Sequence, residues 1–337
     1  MILSICIPTF NRAECLERTL SLFAEQIKSE NLFLSVEINV SDNGSEATTK
    51  NVVDAFLKAN PQVICNYRRN ETNMGPDENF IQAMYMAHGE NSILWGDDDY
   101  LVEGGLRLIM KTIEDNQDAY IILTNRNLLS SGNNIYKQYF INPAVESREF
   151  DFSNDDQMIS YFASVVCLGG ALSFITSVIY KTIIMQQYPY DGSLEGTHYS
   201  FLLSWWSFLF NGNKLRYVDE VYVNSTVDTG VNHGRGINRV LLDYNGFIRI
   251  ADRLGLSGFK REMFLNCVNS DHSIFQLADL RLKFKEKFQK ELAPALEQCG
   301  KTKAELNALE KSVSRKQLFK NLVMALFPKL YTIKNRI

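Results

Sequence analysis

The sequence predicts an α/β protein with a mostly parallel, doubly wound sheet and a helical extension at its C-terminal end. Short apolar runs alternate with helical patterns through the first 125 residues, and nearly everything beyond residue 238 follows helical periodicity. With 337 residues and 45% apolar composition, the chain can bury a full α/β core and a smaller accessory region. We therefore expect a main domain over residues 1–238 and a helical region over 239–337.

The individual elements follow from apolar spacing and breakers, taken in chain order. The first half predicts five strands, at Leu3–Pro8, Val36–Ser41, Val63–Tyr67, Ser92–Trp95 and Tyr120–Thr124. Helical patterns near 13–28, 47–59, 78–87 and 104–115 separate them. Residues 125–150 are polar and predict a loop or short hairpin. Beyond a further helical segment, the pattern predicts a strand over Leu172–Tyr180, a helix over His198–Phe210 and a strand over Leu215–Val223. The remaining helices are predicted over 239–254, 257–278, 280–298 and 302–325.

Charge is unevenly distributed. The net charge is −4, of which residues 311–337 contribute +7 without a single acidic residue, so that residues 1–310 carry −11. An acidic body without aromatics interleaved in a basic stripe argues against nucleic-acid binding. The six cysteines have no C-x-x-C spacing, so neither a zinc site nor a disulfide framework is indicated. A reducing compartment fits this pattern best. No basic leader and no apolar run of about 18 residues is present, so we expect a cytoplasmic or peripheral protein.

Three consecutive carboxylates, Asp97, Asp98 and Asp99, follow the fourth predicted strand. Ligands of open α/β sheets bind beyond the carboxyl ends of the strands, and carboxylate oxygens suit a divalent metal that holds a phosphate. The alternative is an ordinary polar turn that caps a helix beginning near Gly104.

The first two strands also end in polar turns. Ile7 to Arg12 reads Ile-Pro-Thr-Phe-Asn-Arg, and Ser41 to Ser45 reads Ser-Asp-Asn-Gly-Ser. An Asp at a strand end can accept a hydrogen bond from a base or a ribose hydroxyl, while Gly permits a tight turn. Plain structural turns would explain both segments equally well.

Taken in order over about 100 residues, these motifs together with Asn73-Met74-Gly75, Asn79 and Gly89-Glu90 resemble family 2 glycosyltransferases of the GT-A fold. The resemblance implies that the turn after the first strand and the Asp of the second motif hold the nucleotide of a nucleotide-sugar donor. It implies nucleotide-sugar contacts for Pro8, Thr9, Asn11, Arg12, Asp42, Asn73, Gly75, Asn79 and Asp97.

In that family a D-x-D element coordinates Mg²⁺ or Mn²⁺ on the diphosphate. Two registers are possible: one aligns Gly96 with the first Asp and gives the metal to Asp98, and the other reads Asp97-x-Asp99 and gives it to Asp99. His233 matches the place of a C-terminal metal-binding His, and Arg235 is available for the diphosphate. A polar surface role would also explain His233.

The acceptor side of the family usually carries a Glu-Asp pair, which this chain lacks. Glu195 is the first candidate for the general base, with Asp191 and His198 in reserve, and simple capping of the next helix is the alternative. Gly170, in Gly169-Gly170-Ala171, resembles the small residues that let the sugar approach the backbone, although a structural turn would serve as well.

The resemblance implies an inverting sugar transfer, and the segment Leu168–Ser177 is similar to bacterial transferases that build O-antigen or capsular repeats, including those that move deoxysugars such as abequose. We expect an acceptor carried on a polyprenyl diphosphate. The basic amphipathic tail, 311–337, predicts contact with the inner face of the cytoplasmic membrane, unless it docks on its own domain. Two other readings stay open: a non-catalytic sugar-nucleotide-binding scaffold, and a sugar nucleotidyltransferase, which is disfavoured because Phe10–Ala13 lacks a Gly-rich triphosphate loop.

Overall fold

The computed structural model of the chain describes residues 1–129, 135–145, 148–226 and 236–308. Its strands are β1 (Leu3–Thr9), β2 (Val36–Asp42), β3 (Ile64–Arg69), β4 (Asn91–Leu94), β5 (Tyr100–Leu101), β6 (Ile121–Leu129), β7 (Ile135–Gln138), β8 (Glu149–Asp151), β9 (Val178–Lys181) and β10 (Lys214–Thr226). Its helices are α1 (Ala13–Ser29), α2 (Ala47–Ala59), α3 (Pro76–Tyr85), α4 (Gly105–Asp115), α5 (Asp155–Ser164), α6 (Ile183–Gln187), α7 (Ser200–Phe210), α8 (Ile237–Arg253), α9 (Gly258–Asn266), α10 (Ile274–Lys283), α11 (Lys285–Lys287) and α12 (Ala293–Gln298).

The strands form one mixed sheet in the order β3-β2-β1-β4-β9-β6-β10-β5, with β7 on β6 and β8 on β10. The pairs β1–β2, β2–β3, β1–β4 and β6–β10 are parallel, whereas β9 is antiparallel to both β4 and β6. Six strands therefore point the same way, and only short antiparallel strands interrupt them.

Residues of β1 and β2 are buried along the whole length of each strand, as the continuous apolar run of β1 requires of an inner strand. The core includes Leu16, Leu20 and Phe23 of α1 and Ile109 of α4. Register pairs Thr9 with Asp42, so the carboxyl ends of β1 and β2 meet at one edge. The site is built at that edge.

The chain comprises two compact units. The first comprises Met1–Val231 with Arg249–Leu256, and the second comprises Asn232–Ile248 with Ser257–Ile337. The predicted boundary after residue 238 falls within α8. No helix in the described part of the chain is long and apolar enough to cross a membrane.

Two sequence predictions were wrong at the element level. The strand predicted over Leu172–Tyr180 begins only at Val178, because Leu172 has a φ of 65° and Ile175–Ser177 form a 3₁₀ turn. The helix predicted over 257–278 ends at Asn266, followed by a 3₁₀ turn over Cys267–Ser270. A new helix, α10, then begins after Ser273, whose side chain accepts from the backbone of Gln276.

Candidate active site

The turn after β1 is locked to the turn after β2. Asn11 has a φ of 53°, its N–H donates to Ser45 Oγ at 2.9 Å, and its side-chain oxygen accepts from the N–H of Glu46 at 2.8 Å. The left-handed conformation is one that Asn tolerates better than most residues. Asn11 thus joins the two turns that were predicted to hold the nucleotide. Pro8, opposite Ser41 in the register, is buried within β1.

Asp42 lies at the end of β2 and is fully buried. Its Oδ1 accepts from the N–H of Ser45 at 2.8 Å, and its Oδ2 accepts from the hydroxyl of Tyr67 at 2.6 Å. The Nε of Arg69 lies 3.7 Å from the same Oδ2. Both oxygens of Asp42 thus accept from the protein, and because the residue has no exposed surface, contact with a ribose or base would require a neighbouring group to move.

The segment before α3 joins this network. Asn73 Oδ1 accepts from Asn43 Nδ2 at 2.8 Å and from the N–H of Gly75 at 2.9 Å. Gly75 has a φ of 85°, a conformation suited to glycine. Asn79, buried in α3, donates to the carbonyls of Ser41 (3.1 Å) and Thr9 (3.4 Å). The polar residues predicted on the nucleotide side are therefore brought together at one edge of the sheet.

The three aspartates after β4 have different surroundings. Asp97 is buried and accepts from Thr9 Oγ1 at 2.7 Å and from Arg12 at 2.9 Å. Asp99 is also buried, and Thr176 Oγ1 donates to its carboxylate. Asp98 is the most accessible of the three, with 23% of its side chain exposed, and lies 2.9 Å from the same guanidinium nitrogen of Arg12 that contacts Asp97.

Negative charge is concentrated in this turn. Burial raises the pKa of Asp97 to about 6, against the lowering effect of Arg12. Burial and the neighbouring charge of Asp98 raise the pKa of Asp99 to about 7. A cation beside the turn would favour the ionised form of both carboxyls.

The backbone of the turn is fixed by neighbouring elements. Thr19 of α1 donates to the carbonyls of Asp97 (2.9 Å) and Asp99 (3.3 Å), and the indole of Trp95 donates to the carbonyl of Asp99 at 3.1 Å. A Cβ at Gly96 would lie 2.7 Å from the Asp99 carboxylate. None of the aspartates caps α4, because its N-cap is Gly104 and β5 lies between.

The donor chemistry of this turn fits a divalent cation held partly by a ligand. Within the described residues, no group of three or more His, Cys, Asp or Glu side chains forms a metal cage. Magnesium is typically bound by one or two carboxylates together with substrate phosphates and water, so a cage is not required. The accessible carboxylate of Asp98, beside the buried carboxyl groups of Asp97 and Asp99, matches that pattern, with Asp98 and Asp99 as the candidate ligands.

The candidates for the general base lie in the segment before α7. Glu195 is exposed, and no described residue forms an ion pair with its carboxylate. Asp191 pairs with Arg253, whose Nε donates to it at 2.5 Å. Although partial burial acts to raise it, bonds from Ser193 and Arg253 lower the pKa of Asp191. His198 is half-buried with a φ of 61°. Neither acid caps α7, whose N-cap is Tyr199 without a side-chain bond.

Gly170 packs against protein rather than an open space. A Cβ there would lie 2.5 Å from the carbonyl oxygen of Phe140 and 3.0 Å from Val165. The requirement for glycine is thus explained by the close approach of Phe140. His233, Arg235 and the tail, 311–337, lie outside the described residues.

Two residues of the site were missed from the sequence. Thr176 bonds to Asp99 from a segment predicted as strand, and Asp77 of α3 binds the segment that carries Glu195. An acidic residue directly after Gly75-Pro76 is a helix-start pattern, but nothing in the pattern indicates a partner more than 100 residues away.

Comparison with known proteins decides the family. The sequence model of the family Glycosyl transferase family 2 matches residues 4–179, which is more than half of the chain. The chain belongs to glycosyl transferase family 2. The family resemblance predicted from the motifs is therefore confirmed, and the protein is a glycosyltransferase.

Relatives of this family 2 glycosyltransferase include an abequosyltransferase, RfbV, of Salmonella typhimurium, 28% identical over 258 residues and 75% of each chain. A second relative is the GalNAc(5)-diNAcBac-PP-undecaprenol beta-1,3-glucosyltransferase of Campylobacter jejuni, 28% identical over 162 residues and 48% of each chain.

Solved structures support the fold. TarS 1-349 of S. aureus in complex with UDP has a TM-score of 0.60 at 17% identity, over 94% of this chain and 92% of TarS. The mannosyltransferase PcManGT of Pyrobaculum calidifontis, in complex with GDP-Man and Mn2+, has a TM-score of 0.55 at 16% identity, over 98% of this chain and 82% of that one. The predicted α/β, GT-A class is confirmed.

Proposed function

We propose that this glycosyltransferase moves a sugar, with inversion, from a nucleotide-sugar donor to a hydroxyl of a saccharide acceptor during synthesis of an O-antigen type of bacterial polysaccharide. The observation that carries the proposal is the Asp97–Asp99 turn at the carboxyl end of β4, beside the turns after β1 and β2, in a chain of family 2. The activities of the two relatives, an abequosyltransferase and a glucosyltransferase, support transfer of a sugar, and the name of the Campylobacter enzyme supports an acceptor linked to a polyprenyl diphosphate.

On the donor side, Asp98 and Asp99 would hold Mg²⁺ or Mn²⁺, which supplies positive charge to the departing diphosphate. The turns after β1 and β2 and the Asn73–Asn79 segment would orient the nucleotide. The relatives with known ligands, TarS with UDP and PcManGT with GDP-Man and Mn2+, are consistent with this class of donor.

On the acceptor side, Glu195 would accept the proton of the acceptor hydroxyl. The acceptor oxygen then forms its bond to the anomeric carbon on the face opposite the diphosphate, as the bond from that carbon to the diphosphate oxygen breaks. Glu195 suits this role better than Asp191, because Asp191 is engaged by Arg253 and its pKa is lowered. A base needs a carboxylate free to approach a substrate.

A donor screen tests the proposal. UDP-, GDP-, dTDP- and CDP-sugars are incubated with the full chain, Mn²⁺ or Mg²⁺ and a bacterial lipid extract, and release of nucleoside diphosphate is measured. We expect release from one donor class, lost with EDTA and reduced at least tenfold in Asp98→Asn. Asp115→Asn is the matched control, since Asp115 forms only an exposed pair with Lys111.

The outcomes separate the alternatives. If calorimetry shows that a sugar nucleotide binds but no donor is consumed, the protein is a non-catalytic sugar-nucleotide-binding scaffold rather than an enzyme. Retention of the anomeric configuration in the isolated product, measured by NMR, would overturn inversion. Equal activity with a free saccharide and with a polyprenyl-linked one would overturn the proposal that the acceptor is lipid-linked.

The role of Glu195 is tested by comparing Glu195→Gln with Asp191→Asn. General base catalysis contributes roughly 10²- to 10⁴-fold, so we expect kcat to fall by that factor in Glu195→Gln while KM for the donor stays within about twofold. Asp191→Asn should lose much less. The reverse order would assign the base to Asp191, and equal small losses would turn attention to His198.

A further inference from the structure

Asp77, the second residue of α3, binds a distant segment of the chain. It is 2% exposed, and its Oδ2 accepts from the backbone N–H groups of Gly196 at 2.9 Å and His198 at 3.0 Å. Its Oδ1 accepts from the N–H of Ser200 at 3.0 Å, and Ser200 Oγ donates to the carbonyl of Asp77 at 2.9 Å. One buried carboxylate thus fixes three amides within five residues.

The bound segment has a backbone that needs such support. Gly192 and Gly196 have φ values of 81° and 80°, and His198 has a φ of 61°. A residue with a side chain in this region is strained by roughly 1–3 kcal/mol and persists only where its surroundings fix it. The N–H of His198 is one of the three that Asp77 accepts, so the carboxylate acts at the strained position.

Asp77 also takes the place of a missing helix cap. Ser200 is the first residue of α7, where backbone N–H groups lack partners within the helix, and the N-cap residue, Tyr199, supplies no side-chain bond. A carboxylate at a helix N-terminus is further favoured by the helix dipole. Asp77 therefore caps α7 from a neighbouring helix.

The opposite side of the segment is held by α8. Arg249 donates to the carbonyls of Glu195 at 2.8 Å and Ser193 at 2.5 Å. These bonds engage the backbone of Glu195 and leave its carboxylate exposed. The segment is consequently held by Asp77 and by Arg249 through its backbone, while Glu195 itself is exposed.

We propose that Asp77 is a positioning residue, which holds residues 191–200 so that the carboxylate of Glu195 is presented to the acceptor. This rests on the proposed role of Glu195. Asp77 is buried, and both its oxygens bind backbone amides, so it does not contact substrate itself. Because α3 also carries Asn79, which binds the carbonyls of Thr9 and Ser41, one helix fixes both the nucleotide side and the acceptor side of the site.

Asp77→Asn in the full chain tests the proposal. The amide nitrogen of Asn cannot accept from an N–H, so at least one of the three bonds is lost. Glu78→Gln is the matched control: it makes the same charge change in the same helical turn, but Glu78 accepts from Gln82 within its own helix. We measure hydrogen exchange of peptides covering 192–200, together with kcat and KM for the donor.

We expect exchange in 192–200 at least tenfold faster in Asp77→Asn, and kcat lowered tenfold or more, since small displacements of a catalytic group cost up to about 10²-fold. KM for the donor should stay within twofold, and Glu78→Gln should match the wild type in all three. Asp77→Glu, which keeps the charge but lengthens the side chain, should show faster exchange in 192–200 and a lower kcat than the wild type, both smaller changes than those expected of Asp77→Asn. Its comparison with the wild type carries the test if Asp77→Asn does not fold.

Unchanged exchange in 192–200 would overturn the proposal whatever the activity. Faster exchange with an unchanged kcat, while Glu195→Gln is impaired, would show that the contact is structural only. A parallel rise in KM for the donor would show a general distortion of α3 rather than positioning. If the wild type consumes no donor, the proposed function fails and the catalytic part of this inference with it, while exchange still decides whether Asp77 fixes the segment.

Discussion

Arg12 is a cation that the protein itself places beside Asp97 and Asp98. One guanidinium nitrogen lies 2.9 Å from both Asp97 Oδ1 and Asp98 Oδ2, and the Arg12 side chain is 28% exposed. Arg12 also opposes the effect of burial on the pKa of Asp97. Removing it would leave a buried carboxyl with Thr9 as its remaining hydrogen-bond donor among those described above.

We expect Arg12→Gln to lower the free energy of unfolding by about 1.5–3 kcal/mol, the range for hydrogen bonds that involve charged groups. Urea unfolding at neutral pH without added metal measures the loss. Arg107→Gln is the control, because Arg107 is 68% exposed and its pair with Glu30 should contribute less than about 1 kcal/mol. Equal losses of unfolding free energy in the two variants would show that the ion pairs of Arg12 with the Asp turn stabilise the fold no more than an exposed pair does.

The sequence could show which residue types the site contains, but not how each one is used. The sequence does not show different roles for Asp97, Asp98 and Asp99. Only their surroundings in the structure separate the two buried carboxyls from the accessible Asp98. Asn11 was predicted as a nucleotide contact, yet its side chain joins two turns. The sequence shows residue type and position, whereas the use of each side chain depends on partners that lie 34 to 88 residues away in the chain.

At the scale of elements, alternation predicted the order of the strands and helices from β1 to α4, except for the two-residue strand β5, because each of the longer elements has its own local period. The strand prediction was wrong over Leu172–Ser177 because apolar composition does not distinguish a strand from a buried 3₁₀ turn. The break before α10 was not predicted because it depends on a cap at Ser273 within an otherwise helical pattern. Local periodicity also does not explain why polar residues lie inside some of the predicted strands.

Glu37 of β2 is the clearest of these buried polar residues. Its Oε1 accepts from Ser4 Oγ of β1 at 2.5 Å and from the N–H of His88 at 2.7 Å, and Asn66 of β3 lies 3.4 Å from its Oε2. Although burial acts to raise it, the hydrogen bonds from Ser4, from the N–H of His88 and from Asn39 lower the pKa of Glu37. Three strands are thus joined through one carboxylate.

We expect Glu37→Gln to lower the free energy of unfolding by about 1–2 kcal/mol at pH 7. Because the folded-state pKa lies below the unfolded value, the contribution of the carboxylate is present above the unfolded pKa, near 4.3, and is lost as the pH falls through the folded pKa. Urea unfolding at pH 7 and at pH 3.5 should therefore show a smaller difference from the wild type at the lower pH. Glu17→Gln, at an exposed position of α1, should show little effect at either pH; a loss at Glu37 that does not change with pH would contradict the role of its charge.

At the scale of the molecule, the chain comprises two compact units. Every described residue of the candidate site belongs to the unit of Met1–Val231 with Arg249–Leu256. The other unit has its own buried contacts, such as the stacked rings of Phe247 and Phe264 and the approach of His272 Nε2 to Asp243 Oδ2 at 3.2 Å. A chain of this kind need not unfold in a single transition.

We therefore expect the correct nucleoside diphosphate, added with Mn²⁺, to raise the melting temperature of only one calorimetric transition. A ligand at about 100 times its Kd stabilises the unit that binds it by about 2.7 kcal/mol, which corresponds to roughly 5–10 °C for a unit of this size. The shift should vanish with EDTA and in Asp98→Asn, while the second transition stays in place, because a ligand stabilises only the cooperative unit that contains its site. A shift of both transitions by the same amount would show that the two units unfold together, and a shift that survives EDTA would mean that the nucleotide binds without the metal.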